Sequence, residues 1–205
     1  MANLNARIEL DLEGVDDDLK DLAKEEIREF IIDSTLEEIS KGRSPVDGEG
    51  TWQKLNKEYA QEKKGGDRTP NLELTGQMLD DYERGFKVNS DDSISFSMSG
   101  FSGDKADGHS HLSGKPSKLP RRRFIPGDGQ KYNKKITSGI KKIERSYKNQ
   151  TKESTNTRTT STQGFGQGEE DLPEPTISRT FTLRDVFGEQ GESIIDRVAR
   201  RLRNG

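Results

Sequence analysis

Apolar residues recur along the first forty positions in two different patterns. From Arg7 to Leu12 polar and apolar residues alternate strictly, which predicts a half-buried strand that ends at Gly14. After Asp16 the apolar residues recur every three or four positions, which predicts one long helix that stops near Gly42. Aspartates at 16–18 favour its start, because carboxylates interact well with the free N–H groups of a first turn. The predicted apolar stripe consists of Leu19, Leu22, Ala23, Ile27, Phe30, Ile31 and Ile39.

Shorter elements are predicted in the middle of the chain. Asn56 to Lys63 reads as a short polar helix, and Thr75 to Arg84 as a second one. Two alternating segments, Phe86–Val88 and Ile94–Met98, flank Ser90-Asp91-Asp92 and predict a β-hairpin. The stretch from 101 to 119 is rich in Gly and Ser and is predicted to be a loop. The inward residues of the second helix are predicted to be Met78, Leu79 and Tyr82.

The last third of the chain changes character twice. Ile136, Ile140, Ile143 and Tyr147 fall at helical spacing on a lysine-rich helix. From 148 to 180 the sequence is dense in Thr, Ser, Gln and Gly and reads as a low-complexity linker. Residues 181–205 form an amphipathic arm, and its apolar residues, predicted to bind a partner, are Phe181, Leu183, Val186, Phe187, Ile194, Ile195, Val198 and Leu202. We therefore predict one α+β domain over 1–147, with the long N-terminal helix on a small antiparallel sheet, and an extended C-terminal arm.

Composition limits the size of the core. Only 27% of the 205 residues are hydrophobic, 35% are charged, and the mean hydropathy is −1.03. Such a chain sits near the limit at which burial offsets the entropy of ordering, so we expect one modest core. No cysteine and no apolar run of about 20 residues occurs, which predicts neither disulfides nor a membrane partner.

Charge is segregated along the chain. Between Glu9 and Glu38 there are 13 acidic and 3 basic residues, whereas between Lys115 and Lys148 there are 12 basic and 2 acidic residues. Such blocks can pair within one chain or with a neighbouring copy. The basic segment 115–148 also favours an alternative function, non-specific nucleic-acid binding, although few aromatic residues accompany it.

Candidate catalytic and metal-binding groups are sparse. His109 and His111 are the one pair with metal-ligand spacing, but they lack a third ligand and lie in the predicted loop. Asp80 and Asp81 are adjacent, so on a helix they diverge. No nucleophile–base set or phosphate-binding fingerprint occurs. The sequence therefore predicts no enzyme, no cofactor and no metal site.

An ordered series of short motifs gives a more specific indication. Ser44-Pro45 with Gly48 is followed by Trp52, Leu55, Tyr59 and Lys63 in the pattern Trp-x-x-Leu-x-x-x-Tyr-x-x-x-Lys. Next come Leu74-Thr75-Gly76 with Met78, then His111 with Gly114, and finally Pro120, Arg122, Phe124 and Ile125. In this order the motifs resemble the virion-morphogenesis or tail-completion family of tailed bacteriophages, the phage Mu type, over about residues 16–147. Arg123 stands where the family has proline, and residues 148–205 extend beyond the resemblance.

The resemblance implies a structural protein rather than an enzyme. It implies a ring of identical subunits, often six-fold, at the virion head–tail junction, assembled in the host cytoplasm beside neck, connector or tail-tube proteins. The predicted contacts of such a ring are Arg121, Arg123, Lys141 and Lys142 together with the arm. Whether the basic segment also touches genome DNA is left open. Truncation after Asn149 is expected to leave a folded monomer that does not assemble.

Overall fold

A computed structural model describes residues 4–72, 77–112, 117, 119–127 and 129–160, and of residues 154–160 the backbone alone. The linker beyond 160 and the arm 181–205 lie outside these residues, as do Leu74, Thr75 and Gly76. The described part is α+β, with a long N-terminal helix on a small antiparallel sheet, as predicted. In chain order its elements are β1 (Leu4–Glu9), α1 (Asp17–Ser40), α2 (Lys57–Lys63), α3 (Gln77–Arg84), β2 (Phe86–Val88), β3 (Ser93–Met98), α4 (Gly100–Ser110) and α5 (Lys134–Thr160).

Helix α1 has the predicted bounds, but its buried face differs from the predicted stripe. Asp16 is the N-terminal cap residue, and Asp17 and Asp18 occupy the first turn. Ala23, Ile27, Ile31 and Ile39 are buried as predicted, together with Ile32. Leu22 was predicted to face inward, yet 59% of it is exposed. The buried side of α1 does not include the position of Leu22. Leu22 therefore faces solvent although it fits the 3–4 spacing.

The sheet has the strand order β1–β3–β2, and both pairs are antiparallel. The predicted hairpin is confirmed as β2 and β3. The first strand was predicted at Arg7–Leu12 but spans Leu4–Glu9, because its last partner is Ser93, the first residue of β3. Leu10 continues past the strand and donates its N–H to the carbonyl of Asp92 at 2.9 Å.

An aromatic cluster joins α3 to the sheet. Tyr82 of α3 is fully buried, and its ring lies 5.1 Å from that of Phe86, 5.2 Å from that of Phe96 and 5.8 Å from that of Phe124. Met78 and Leu79 of the same helix are also buried, as predicted. Aromatic residues bury large areas, so a few of them give this polar chain its core.

The prediction of a loop from 101 to 119 is wrong for its first half, which forms α4. Small buried residues, Ser102, Gly103 and Ala106, let this helix approach α3, and Ser102 donates a hydrogen bond to Asp81 at 2.5 Å. Tertiary contacts therefore outweigh the low helix propensity of its glycines. His111 ends the helix in the left-handed conformation with φ of 53°.

Helix α5 runs antiparallel to α1 and is longer than predicted. Ile136 and Ile143 are fully buried, and Ile140 and Tyr147 are partly buried. The sequence places the start of a linker at 148, but the helix continues to Thr160. Within the last stretch the Thr151 hydroxyl accepts a hydrogen bond from the N–H of Asp16 at 3.1 Å, which links the end of α5 to the start of α1. Within the described ranges, no helix is long and apolar enough to cross a membrane.

Candidate functional site

Two motif segments that are distant in sequence meet in space. The Ser44 hydroxyl donates a hydrogen bond to the carbonyl of Arg123 at 2.6 Å. Glu49 of the same loop forms an ion pair with Arg121 at 2.5 Å and lies 3.6 Å from the guanidinium of Arg123. The Ser-Pro-x-x-Gly loop and the Pro-x-Arg-x-Phe segment are therefore parts of one structure.

Two further segments complete this structure. Arg122 donates its N–H to the carbonyl of His109 at 2.8 Å, which attaches the segment to the end of α4. Asp47 donates to the carbonyl of Lys131 at 3.0 Å, and Asn133 donates to that of Pro45 at 2.7 Å. We call residues 44–52, 109–111, 120–125 and 130–133 the junction. Backbone hydrogen bonds attach the segments 109–111 and 130–133, whereas side chains join the two motif segments to each other.

The Trp-x-x-Leu-x-x-x-Tyr motif lies beside the junction. Trp52 is 5% exposed and donates its backbone N–H to Gly42 at 2.9 Å, whereas its buried indole N–H has no partner. Leu55 is also buried, and its backbone N–H and carbonyl both pair with Arg68 at 2.9 Å. Tyr59 of α2 is partly exposed at the surface. The motif thus contributes two anchors and one surface residue.

Phe124 anchors the other end of the motif series. Its side chain is fully buried and meets Tyr82 edge to face. Burial raises the pKa of Tyr82 to about 12, so this phenol stays neutral in the core. The sequence predicts that Phe124 packs on α1. The observed ring contact is with Tyr82 of α3, and packing on α1 stays a prediction.

Like Trp52, the motif residue Arg122 has a buried N–H group without a hydrogen-bond partner. This group is the Nε atom of Arg122, whose side chain is partly buried. Burial lowers the pKa of Arg122, while the nearby Tyr59 phenol opposes that shift. Burial likewise lowers the pKa of His109, with smaller contributions in the same direction from Arg122 and Lys105. A guanidinium that forms no ion pair with another described residue favours an oxyanion as its ligand.

Part of the segregated charge is paired within the chain. Lys135 of α5 binds Glu37 of α1 at 2.6 Å, and Lys148 binds Asp11 at 2.6 Å. The hydrogen bond from Lys135 contributes most to holding the pKa of Glu37 below its usual range, and the hydrogen bond from Lys41 acts in the same direction. From the sequence, the acidic and basic blocks could pair within one chain or with a neighbouring copy. Pairing within one chain therefore accounts for part of both blocks.

Much of the remaining positive charge of α5 faces solvent. Lys134, Lys141, Lys142 and Arg145 are all exposed, and none forms an ion pair with another described residue. We call these four residues the basic face of α5. Lys141 and Lys142, predicted as contact residues, thus lie on a different surface from Arg121 and Arg123, which belong to the junction.

The two histidines have carbonyl partners rather than a common ligand. His109 Nδ1 lies 3.5 Å from the Pro120 oxygen, and His111 Nε2 lies 3.1 Å from the Leu119 oxygen. In the part of the chain that the structure describes, no group of three His, Cys, Asp or Glu residues could hold a metal ion. These contacts give the histidines a structural role, which is to fasten α4 to the segment at 119–123.

Sequence reasoning missed two members of the junction. Glu49 balances two arginines that lie more than seventy positions away, and Gln130 accepts a hydrogen bond from Arg123 at 2.7 Å. A single acid in a turn and a lone glutamine carry no local signal of such distant partners.

Comparisons with protein-family models, with curated proteins and with solved structures found no match to this chain.

Proposed function

We propose that this chain is a structural protein of the tailed-bacteriophage neck or tail end, which assembles with copies of itself into a ring at the head–tail junction. The proposal includes contacts with neck, connector or tail-tube proteins and assigns no enzymatic activity. It rests on the ordered motifs and on where the described ones lie.

The observation that carries the proposal is the junction. Segments 44–52 and 120–125 each resemble a tail-completion motif, and they contact each other through Ser44, Glu49, Arg121 and Arg123. Trp52 and Phe124 anchor this arrangement in the core. Motifs that combine into a rigid scaffold, with buried anchors and exposed arginine and tyrosine, suit a building block of an assembly.

The experiment is co-sedimentation of the purified chain with isolated phage tail tubes and with portal-connector complexes, followed by negative-stain electron microscopy. We expect the chain to sediment with one of these structures and to form a ring at its end. A chain that remains in the supernatant with both would contradict the proposal.

A second candidate function is non-specific nucleic-acid binding, and the basic face of α5 favours it. Four exposed cations along one helix could follow a phosphate backbone, and their binding would weaken steeply with added salt. Lys141→Glu combined with Lys142→Glu should abolish that binding. Loss of DNA binding in this variant, with tail-tube binding absent in the wild type, would favour the second function.

A further inference from the structure

A partly apolar surface that carries Lys105 and the exposed carboxylate of Asp104 lies near Arg122. Phe101 and Lys105 lie one turn apart on α4, and the exposed fraction of Phe101 is 75%. Leu119 is 42% exposed and covers Gly108 of the same helix, since a Cβ on that glycine would lie 3.1 Å from Leu119 Cδ1. We call the surface made by Tyr59, Phe101, Lys105, Leu119 and Arg122 the Arg122 surface.

This combination of groups is typical of protein contacts. Exposed aromatic and aliphatic side chains around an arginine are enriched at interfaces between proteins, whereas nucleic-acid surfaces are dominated by unburied lysines and arginines. Arg122 is partly exposed and forms no ion pair with another described residue, so its guanidinium can bind a carboxylate of a second molecule. The fitting partner therefore offers a carboxylate next to an apolar side chain.

The first half of α1 offers that pairing. Leu22 is 59% exposed, and Asp18, Asp21 and Glu25 surround it at positions one to four residues away. The bases of this half turn away from solvent: the side chain of Lys24 is 3% exposed, while that of its partner Asp21 is 83% exposed. We call Asp18, Asp21, Leu22 and Glu25 the acidic face of α1.

The two surfaces lie toward opposite ends of α1. Arg123, next to Arg122, is hydrogen-bonded to Ser44, four residues after α1 ends at Ser40. Leu22 lies about 27 Å before that end, at 1.5 Å per helical residue. A contact between different patches of identical subunits is heterologous, and such contacts close into rings when the rotation permits.

We propose that the Arg122 surface of one copy binds the acidic face of α1 of a second copy, with Leu22 between Phe101 and Leu119 and a carboxylate of the same face on the Arg122 guanidinium. This inference rests on the proposed function, because it supplies the contact that a ring of subunits needs. It assigns that contact to residues outside the predicted set of Arg121, Arg123, Lys141 and Lys142.

The test uses the full chain in sedimentation velocity over a range of concentrations. Leu22→Arg and Phe101→Asp each change an exposed residue, so both variants should fold, as judged by unchanged thermal midpoints. Each is expected to self-associate at least ten-fold more weakly than the wild type. Lys142→Glu, which lies on neither surface, is the matched control and should associate like the wild type.

Mixing the two variants gives the decisive result. Leu22→Arg keeps an intact Arg122 surface and Phe101→Asp keeps an intact acidic face, so their mixture should form a one-to-one pair more tightly than either forms with itself. Arg122→Gln should weaken association in the same assay while leaving the thermal midpoint nearly unchanged.

Three outcomes would overturn the inference. Variants that assemble like the wild type would show that the contact does not lie on these surfaces. Tail-tube binding would then still support the proposed function. A wild type that stays monomeric at every concentration and forms no ring when tail tubes or connectors are added would exclude the contact altogether. Loss of DNA binding in Arg122→Gln, with self-association intact, would assign the surface to nucleic acid.

Discussion

At the residue scale, Phe124 is the aromatic motif residue whose side chain is completely buried. It touches Tyr82, whereas Phe101 has the same side chain and is 75% exposed. Phe124→Ala should therefore lower the free energy of unfolding by about 3–5 kcal/mol, the range for a buried aromatic. Urea denaturation measures this, and Phe101→Ala is the control, with a change within about 0.5 kcal/mol. Equal stability of the two variants would refute the burial of Phe124.

His109 should make stability depend on pH. Burial lowers the pKa of its imidazole below the ordinary value of 6.5, so between those two values the unfolded chain binds the extra proton. Its contribution to stability is therefore complete above pH 6.5 and is lost as the pH falls toward the lowered pKa.

The measurement is the denaturation midpoint from pH 7.5 to 5. His109→Gln should flatten the decline below pH 6.5, and His111→Gln, two residues along, should leave the decline in place. A decline that persists unchanged in His109→Gln would show that another group causes it.

Sequence alone was a good guide to single residues where burial follows local pattern. Met78, Leu79 and Tyr82 are buried because a short helix has one apolar side. Leu22 fits the same pattern and is exposed, because burial depends on which side of α1 the sheet and α5 cover. Glu49 had no local signal, since its partners are brought close only by the folded chain.

At the element scale, the packing of α1 on α5 depends on one small residue. Gly139 of α5 lies against Phe30, and a Cβ at that glycine would lie 2.0 Å from Phe30 Cζ. Gly139→Ala should therefore lower the free energy of unfolding by about 1–3 kcal/mol through overpacking. That loss should appear although alanine is favoured over glycine in a helix by about 1 kcal/mol.

The adjacent exposed position supplies the control for this clash. Ser138→Ala adds no atom at the interface and should leave stability equal or slightly higher. Phe30→Leu combined with Gly139→Ala should lose less than the sum of the single changes. A stabilising Gly139→Ala would mean that the helices are not this close.

The elements also separate what pattern can predict from what packing decides. The long helix, the hairpin and the lysine-rich helix were predictable because each repeats its period over several residues. Helix α4 was missed because its sequence is rich in Gly and Ser, and its formation depends on contacts with α3. The first strand was shifted by three residues, because its register is set by β3.

At the scale of the whole molecule, the end of α5 changes the expected effect of truncation. A cut after Asn149 removes Thr151, whose hydroxyl holds the start of α1, and should lower stability by about 1 kcal/mol or more. A cut after Thr160 should keep the thermal midpoint and weaken assembly at least ten-fold, because it removes the arm 181–205. Circular dichroism and sedimentation of the two truncated chains measure both effects.

A chain ending at Thr160 that assembles like the full chain would contradict a role of the arm in assembly. A chain ending at Asn149 that is as stable as the one ending at Thr160 would show that the last turns of α5 do not support α1.

The arrangement of charge separates the two functions most clearly. Lys135 pairs with Glu37 of α1 and Lys148 pairs with Asp11 before α1, while the acidic face of α1 and the basic face of α5 stay exposed. Pairing of the acidic face with the Arg122 surface of a second copy predicts assembly that weakens with salt and does not need the basic face of α5. DNA binding by the basic face predicts a salt-dependent monomer–DNA complex instead.

The measurement that tests the central claim most directly is the solution mass of the purified full chain by light scattering, at low and moderate salt, alone and with tail tubes or connectors. We predict a defined oligomer, or a monomer that forms rings when those structures are added. A chain that is monomeric at both salt concentrations, does not bind tail tubes or connectors, and binds DNA tightly would contradict the account.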